Sequence, residues 1–504
     1  MLAILISTWA SSVGAQGVDS VTSLVGPAAM PIAGSTQAPQ RQKPPAGEDT
    51  LARLRYWNEI MLGANALDHT PVQPGENRVF GEQVGPGRTS RAFAIVHIAI
   101  FDSVNAIARA YRNYNVLPQP PNGTSMDAAI AQAARDTLVA LYPSQKASFD
   151  NLLKTDLGKI KNGSTKKNGI SLGQRAAAAI LARRASDGSQ HVEPCVVMPC
   201  PTGGAFFPTG DEPGRWRQDP ISHSPLALGA FWEGVTPFVM MYPDQFPAPP
   251  PPALASSEYA TAFEEVKRLG GDGIGTPTQR TPDQTTVGIY WGYDGTPGLG
   301  TPPRLYNQIT VQIAASRATN VVDLARLLAL VNVAMADAGI AIWESKYHYV
   351  FWRPITGIRE ADETGPTGQG DGNPTTVGDP NFTPLGAPAS NLNAPNSTPP
   401  FPAYPSGHAG FGGALFQILR KFYGTDAIAF AFVSDEFNGA TRDNAGNIRP
   451  LLTRNFATLS HAEEENGQSR IYLGIHWAFD KVAGIVQGRS VADYVYANAF
   501  VRLP

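Results

Sequence analysis

Cysteine is nearly absent from this 504-residue chain: there are two, Cys195 and Cys200, in "EPCVVMPCPTGG". Two thiols with no histidine pair beside them make a poor zinc site, and a disulfide framework cannot be what holds so long a chain together. A small loop disulfide suited to an oxidising compartment and a pair of unbridged thiols both fit the spacing. Charge is also scarce, at 16% of residues with a net of −3, so there is no basic surplus to attract nucleic acid. No uninterrupted apolar run reaches the roughly 20 residues that cross a bilayer, so no membrane span is expected. Val, Ile and Thr do not gather in short Gly-bounded alternating runs, and strands should be few. The start, "MLAILISTWASSVGAQ", has a short apolar core and small residues near Ala15 but lacks a positive n-region. A secretory signal and a plain disordered tail fit it equally; a secreted or periplasmic location is suspected and a cytoplasmic one is not excluded.

Glycine and proline, by contrast, are plentiful, at 50 and 44 residues, and they punctuate segments with the i, i+3, i+4, i+7 apolar spacing of helices. These segments are 53–63, 89–110, 126–141, 171–186, 256–269, 320–352, 408–423 and 470–499. The fold class expected is all-α: two packed helical bundles with long Gly/Pro-rich loops. The proline tract "YPDQFPAPPPPALAS" is stiff and extended, and it marks a boundary near 243–255. The division expected is a tail or signal remnant over 1–48, a helical half over 49–250, and a C-terminal bundle over 251–504 that carries the site. A second irregular segment, about 361–404, is rich in Gly, Pro, Asn, Asp and Thr; loops this long are usually functional, so it should border a site. Whether its "QGDGNPTTVGD" holds a structural cation or only turns is open.

Three blocks carry chemistry. In "FPAYPSGHAGFGG", Pro405 and Ser406 read as a helix entry, with Ser406 near the N-cap, and the first N–H groups of that helix would welcome an oxyanion. Gly407 lets such an anion approach the backbone, and His408 follows directly. In "WESKYHYVFWRPITGIRE", Lys346 and Arg353 stand seven residues apart, close to two turns of a helix, which places both cations on one face among aromatics. Pro354 should end that segment. In "SRIYLGIHWAFDKVAG", Arg470 and His476 are six residues apart, with Gly474 able to supply a break between them. Asp480, four residues after His476, is placed to fix the imidazole tautomer. Each block alone has a plain reading: a capped helix, two surface cations, an Arg–Asp pair with a packed histidine. Together they supply three cations, which would be costly side by side without an anion to balance them. A tetrahedral oxyanion site follows, with one histidine to bond the central atom and one to move protons.

The ordered series Lys346-x6-Arg353-Pro354, Pro405-Ser406-Gly407-His408 and Ser469-Arg470-x5-His476-x3-Asp480 resembles the signature shared by vanadium-dependent haloperoxidases and type 2 phosphatidic acid phosphatases. "YWGYDGTPGLGTPPRLYNQI" at 290–309 is similar to a segment of the chloroperoxidase-like branch, in which the aspartate matching Asp294 pairs with an active-site arginine. The resemblance implies vanadate as cofactor, His476 as its axial metal ligand, and Lys346, Arg353, Ser406, Gly407 and Arg470 as holders of its oxygens. It implies catalytic roles for His408 as acid–base, for Lys346 in polarising peroxide, and for Asp294. Trp343 and Phe401 match aromatics on the halide side, where algal bromoperoxidases have a histidine in place of Phe401; core packing explains the pair equally. The expected partners are small molecules, namely hydrogen peroxide, chloride or bromide, and an organic acceptor, with a homo-oligomer left open.

The rival function is an acid phosphatase with His476 as nucleophile and His408 as the acid for the leaving group, because vanadate mimics phosphate. A non-catalytic oxyanion scaffold is the third reading, and it should tolerate loss of His408. Elsewhere, His97 and His348 read as structural. "RWR" at 215–217 is a rim or an ion pair with "GDEP", and His461 with Glu463, Glu464 and Glu465 reads as a solvated helix face.

Overall fold

The computed structural model describes residues 21–32, 43–47 and 49–504; the candidate signal segment lies outside the described residues. In chain order, a short helix α1 (Val21–Val25) and strand β1 (Met30–Pro31) precede helices α2 (Thr50–Asp68), α3 (Pro86–Ala108), α4 (Met126–Leu141), α5 (Lys146–Leu157) and α6 (Ser164–Arg183). A long irregular stretch, in which Cys195 and Cys200 form a disulfide, then leads to α7 (Ser257–Leu269), α8 (Pro282–Tyr290), α9 (Pro302–Ser316), α10 (Val321–Tyr349) and α11 (Pro354–Arg359). The chain closes with β2 (Leu392–Asn393), α12 (Gly407–Tyr423), β3 (Phe430–Asn438), β4 (Leu451–Phe456), α13 (Leu459–Tyr472) and α14 (Ala478–Asn498). The architecture is all-α, and its only sheets among the described residues are the antiparallel pairs β1–β2 and β3–β4.

Helix starts follow side-chain caps. Ser125, Ser256, Asn320 and Ser406 each accept a backbone N–H in the first turn of α4, α7, α10 and α12, and Thr281 with Gln284 makes a capping box on α8. Helix α10 is the axis of the molecule, buried along most of its length and packed on α3, α12 and α14. Helices α3 and α10 are also long and apolar enough to cross a membrane, which the run-by-run reading of the sequence does not anticipate. Their most apolar windows are 83% and 94% buried inside the protein, which is where such core helices put that surface. The α12–α14 contact sets the floor of the site. A Cβ on Gly488 would lie 2.0 Å from the Gly410 carbonyl oxygen and one on Gly413 2.6 Å from that of Ile485, so the glycines let two backbones touch.

Four sequence expectations are corrected. The helix expected over 320–352 stops at Tyr349, because Val350 turns left-handed with φ 49°. Arg353 therefore caps α11, and Pro354 opens that helix rather than ending one. Strands β3 and β4 form a hairpin where none is expected. Residues 21–32, expected within an unstructured tail, dock through buried Val21 and Leu24 and through pairing of Met30 and Pro31 with Asn393 and Leu392. The Glu463 face of α13 is not solvated: Glu463 is 1% exposed and accepts from Arg420 and Arg489.

Candidate active site

Ser406 is the N-cap of α12. Its Oγ accepts from the Ala409 N–H at 3.4 Å, and its own N–H donates to the Asp480 carbonyl at 2.9 Å, which ties the start of α12 to the start of α14. The amides of Gly407 and His408 stand in the first turn, where a helix offers no internal acceptor. A Cβ on Gly407 would lie 3.3 Å from the Trp343 ring, so the glycine keeps that wall close. Between α13 and α14, Gly474 takes φ +72°, and the break puts His476 just ahead of α14 while Arg470 remains in the last turn of α13.

Three buried cations converge here by routes other than one helix face. Lys346, from the last turn of α10, donates through Nζ to the carbonyl oxygens of Pro402, Ala403 and Pro405 at 2.8, 2.9 and 2.5 Å. Burial, reinforced by the Arg353 charge, lowers its pKa well below the usual lysine value. Arg353 donates to the carbonyls of Phe401 and Ile475, both at 2.9 Å, and burial brings its pKa down to about 9. Arg470 differs from both. Its Nη2 donates to Asp294 Oδ1 at 2.7 Å, yet its Nε and Nη1 are buried without a partner. Unpaired buried donors cost about 1–3 kcal/mol each, so this guanidinium is arranged for an acceptor that the protein itself does not supply.

The imidazoles have assigned hydrogens. Arg353 Nη1 can only donate, and it lies 3.0 Å from His476 Nε2, so that nitrogen carries the lone pair and Nδ1 carries the proton, donated to Asp480 Oδ2 at 2.8 Å. Burial, then the charges of Arg353, Lys346 and Arg470, pushes the His476 pKa well below its ordinary value. Burial raises Asp480 to about 7 against the pull of the Trp477 N–H, Lys346 and Arg353. His408 donates from Nε2 to the Gly292 carbonyl at 2.7 Å, and burial followed by the Arg470 charge lowers it to about 4; it is neutral at pH 7 with its lone pair on Nδ1. Three cationic side chains meet only two carboxylic side chains here, Asp294 and Asp480, an imbalance that an oxyanion would offset.

One cavity brings Asp294, Gly407, His408, Arg470, His476, Trp343 and Phe401 together. Lys346, Arg353 and Ser406 stand behind this wall rather than in it. The Trp343 and Phe401 ring centroids are 5.0 Å apart, and Lys346 Nζ lies 5.2 Å from the Phe401 centroid. Trp343 Nε1 donates to the Leu228 carbonyl at 3.0 Å, so only its ring faces the cavity as an apolar surface. The irregular 361–404 segment does border the site, through Ala387, Ser397, Pro399, Pro400 and Phe401. Sequence reasoning missed Tyr306 and Asn466, which both donate to the His408 carbonyl, at 2.9 and 3.1 Å. Tyr306 lies inside the 290–309 stretch that carries Asp294, and that proximity is the signal that could have found it. It also missed Glu436 of β3, whose carboxylate takes the Tyr293 N–H at 3.2 Å and so braces the turn between Gly292 and Asp294.

Residues 326–502 match the family described as the VCPO second helical-bundle domain. The chain is 31% identical to the vanadium chloroperoxidase of Curvularia inaequalis over 512 residues, 85% of this chain and 79% of that protein. Among solved structures it shares its fold with a bacterial vanadium-dependent iodoperoxidase, with TM-score 0.68, 22% identity, and 92% of this chain and 99% of that one covered. It also shares its fold with a holo-type bacterial vanadium-dependent chloroperoxidase, with TM-score 0.61, 16% identity, and 87% and 97% covered.

Proposed function

The chain belongs to the vanadium-dependent haloperoxidases, peroxidases among the oxidoreductases, and on that premise we propose that it oxidises chloride or bromide with hydrogen peroxide to hypohalous acid, which halogenates an organic acceptor. The observation that carries the assignment of the site is Arg470, with two unpartnered buried N–H groups beside His408 and His476. A vanadate oxygen fits those donors, and the excess positive charge fits an anion.

In this reading vanadate would be held by Arg470, by the first-turn amides of α12 at Gly407 and His408, and by His476 Nε2 once Arg353 yields that lone pair, with Ser406, Lys346 and Arg353 bracing the wall from behind. Bound vanadate supplies Lewis acidity at an unchanged oxidation state, which makes peroxide electrophilic toward halide. Asp480 holds His476 in the tautomer that presents Nε2. His408, neutral at working pH, accepts a proton from peroxide on Nδ1 and returns it to departing water. Asp294 orients Arg470 and lies 3.8 Å from His408 Nε2, so it favours the transient imidazolium. Lys346 acts as fixed charge: its three N–H bonds already meet carbonyls, and it stabilises negative charge in the cavity by its field. Trp343 and Phe401 offer an apolar wall on which a weakly hydrated halide rests, and Phe401 in the place of a histidine supports chloride as well as bromide.

The test is to load apo protein with graded orthovanadate and follow peroxide-dependent chlorination and bromination of a cyclic dione beside hydrolysis of a nitrophenyl phosphate. Halogenation that rises with vanadate is expected. Its absence at every vanadate level, with hydrolysis that vanadate blocks, would show a phosphatase instead.

A further inference from the structure

Residues 21–32 contribute to the cavity as well as docking on the bundle. Leu24 and Val25 line it, and a Cβ on Gly295, the neighbour of Asp294, would sit only 3.0 Å from a Leu24 methyl carbon. The strap is fastened at separated points. Ser224 Oγ donates to the Ser23 carbonyl at 3.0 Å, Ile32 N–H donates to the Asn391 carbonyl at 3.1 Å, and β1 pairs with β2 between them and the active-site loop. Gly26, at φ +106°, packs so closely that a Cβ would fall 2.0 Å from the Ser222 carbonyl oxygen. Leu24 is 4% exposed, so the strap gives the chamber a covered apolar side facing Trp343, Phe401 and Phe411.

Peroxide and halide do not need this apolar surface. Leu24, Val25, Trp343, Phe401 and Phe411 line the same cavity as Asp294, His408, Arg470 and His476, the mix of apolar walls and a few polar groups typical of small-molecule sites. We propose that the strap forms one wall of an acceptor-binding chamber, and that Leu24 and Val25 set the size of the aromatic or enolic molecule halogenated there. The inference rests on the haloperoxidase reading for its chemistry but not for its binding. In the chamber the acceptor carbon attacks the halogen of hypohalous acid: the carbon–halogen bond forms, the halogen–oxygen bond breaks, and the carbon's proton joins the departing hydroxide as water.

Two variants push in opposite directions, Leu24→Ala enlarging the chamber and Leu24→Trp filling it. The first readout is binding of 2-naphthol to the vanadate-loaded protein without peroxide; the second is the ratio of kcat/KM for 2-naphthol to that for a small cyclic dione. Filling the wall should weaken naphthol binding at least about fivefold and lower the ratio as much, and Leu24→Ala should raise the ratio, since a change of a few methylenes in an apolar pocket is worth at least that. Vanadate affinity should hold steady in both, because Leu24 is not among the residues that would hold the anion. Naphthol binding equal in the parent and both variants overturns the chamber, whatever the activity. A parent that binds naphthol but halogenates nothing overturns the haloperoxidase chemistry and leaves the chamber standing.

Discussion

Arg470→Lys isolates what the unpaired guanidinium donors do. Lysine keeps the positive charge and can keep the contact with Asp294, since one N–H suffices for that bond. It cannot also present two further donors in the directions of Nε and Nη1, which are the buried atoms without partners. Two hydrogen bonds to a charged acceptor, each about 1.5–3 kcal/mol, should therefore be lost, roughly 10²- to 10⁴-fold in vanadate affinity. Equilibrium dialysis of orthovanadate against apo protein reads this directly. Thermal unfolding reads it independently: vanadate at 100 times the parent Kd should stabilise the parent by about 2.7 kcal/mol and the variant by about 0.4 kcal/mol or less. Without anion the lysine variant should melt no lower than the parent, because the donors removed have no partner in the protein and their burial costs stability. A lysine variant that binds vanadate as tightly as the parent would refute the assignment of those N–H groups to an oxyanion.

Asp480→Asn should cost about 10–100-fold in vanadate affinity, because the amide no longer holds the His476 Nδ1–H with a charge; dialysis with unchanged affinity would count against that role. Glu463→Ala should destabilise the protein by about 1–3 kcal/mol in urea, since it removes a buried acceptor shared by Arg420, which keeps Asp426, and Arg489, which is partly exposed, whereas a solvated glutamate would cost under about 0.5 kcal/mol. Buried His69 and His408 fall to about 4 and His97 to about 3 from 6.5, so the unfolded chain binds more protons as pH drops through 6.5 and they withdraw stability toward acid. Asp102 is raised by burial to about 7 from 3.8, so its contribution has the opposite sign and is lost as pH rises from 3.8 to 7. His97→Gln should therefore flatten the acid limb of a urea-midpoint profile and Asp102→Asn the neutral one, by up to about 1.4 kcal/mol per pH unit. Profiles parallel to the parent's would contradict the burial argument.

The site was legible because its parts are local. Pro405 to His408 occupy one helix entry, and Arg470 to Asp480 one broken helix, so spacing alone brings each group together. What escaped is what depends on partners distant in sequence. The α13 helix buries Glu463, Asn466 and Arg470 as hydrogen-bonded polar groups, and apolar periodicity is blind to a core built that way. The β3–β4 hairpin has its alternating face covered by aromatic contacts such as Tyr290 on Phe432 and Trp291 on Phe456, none of them local. The seven-residue spacing of Lys346 and Arg353 was read as helical, but nothing in the spacing announces that Val350 turns left-handed between them. The docking of 21–32 was hidden because two short pieces of chain carry too little pattern to mark a partner 361 residues away, as between Pro31 and Leu392.

The ammonium of Lys346 behaves toward the turn at 402–405 as a sodium ion behaves toward a carbonyl cage. Three main-chain oxygens are coordinated around one point charge, and the positions of Phe401 on one side and Ser406 on the other follow from it. The aromatic wall and the start of α12 are therefore scaffolded by electrostatics as much as by packing. A neutral residue at 346 would act as a chelator does on a metal-stapled loop, releasing the turn itself. Activity lost in such a variant would then measure the collapse of the cage together with the missing field.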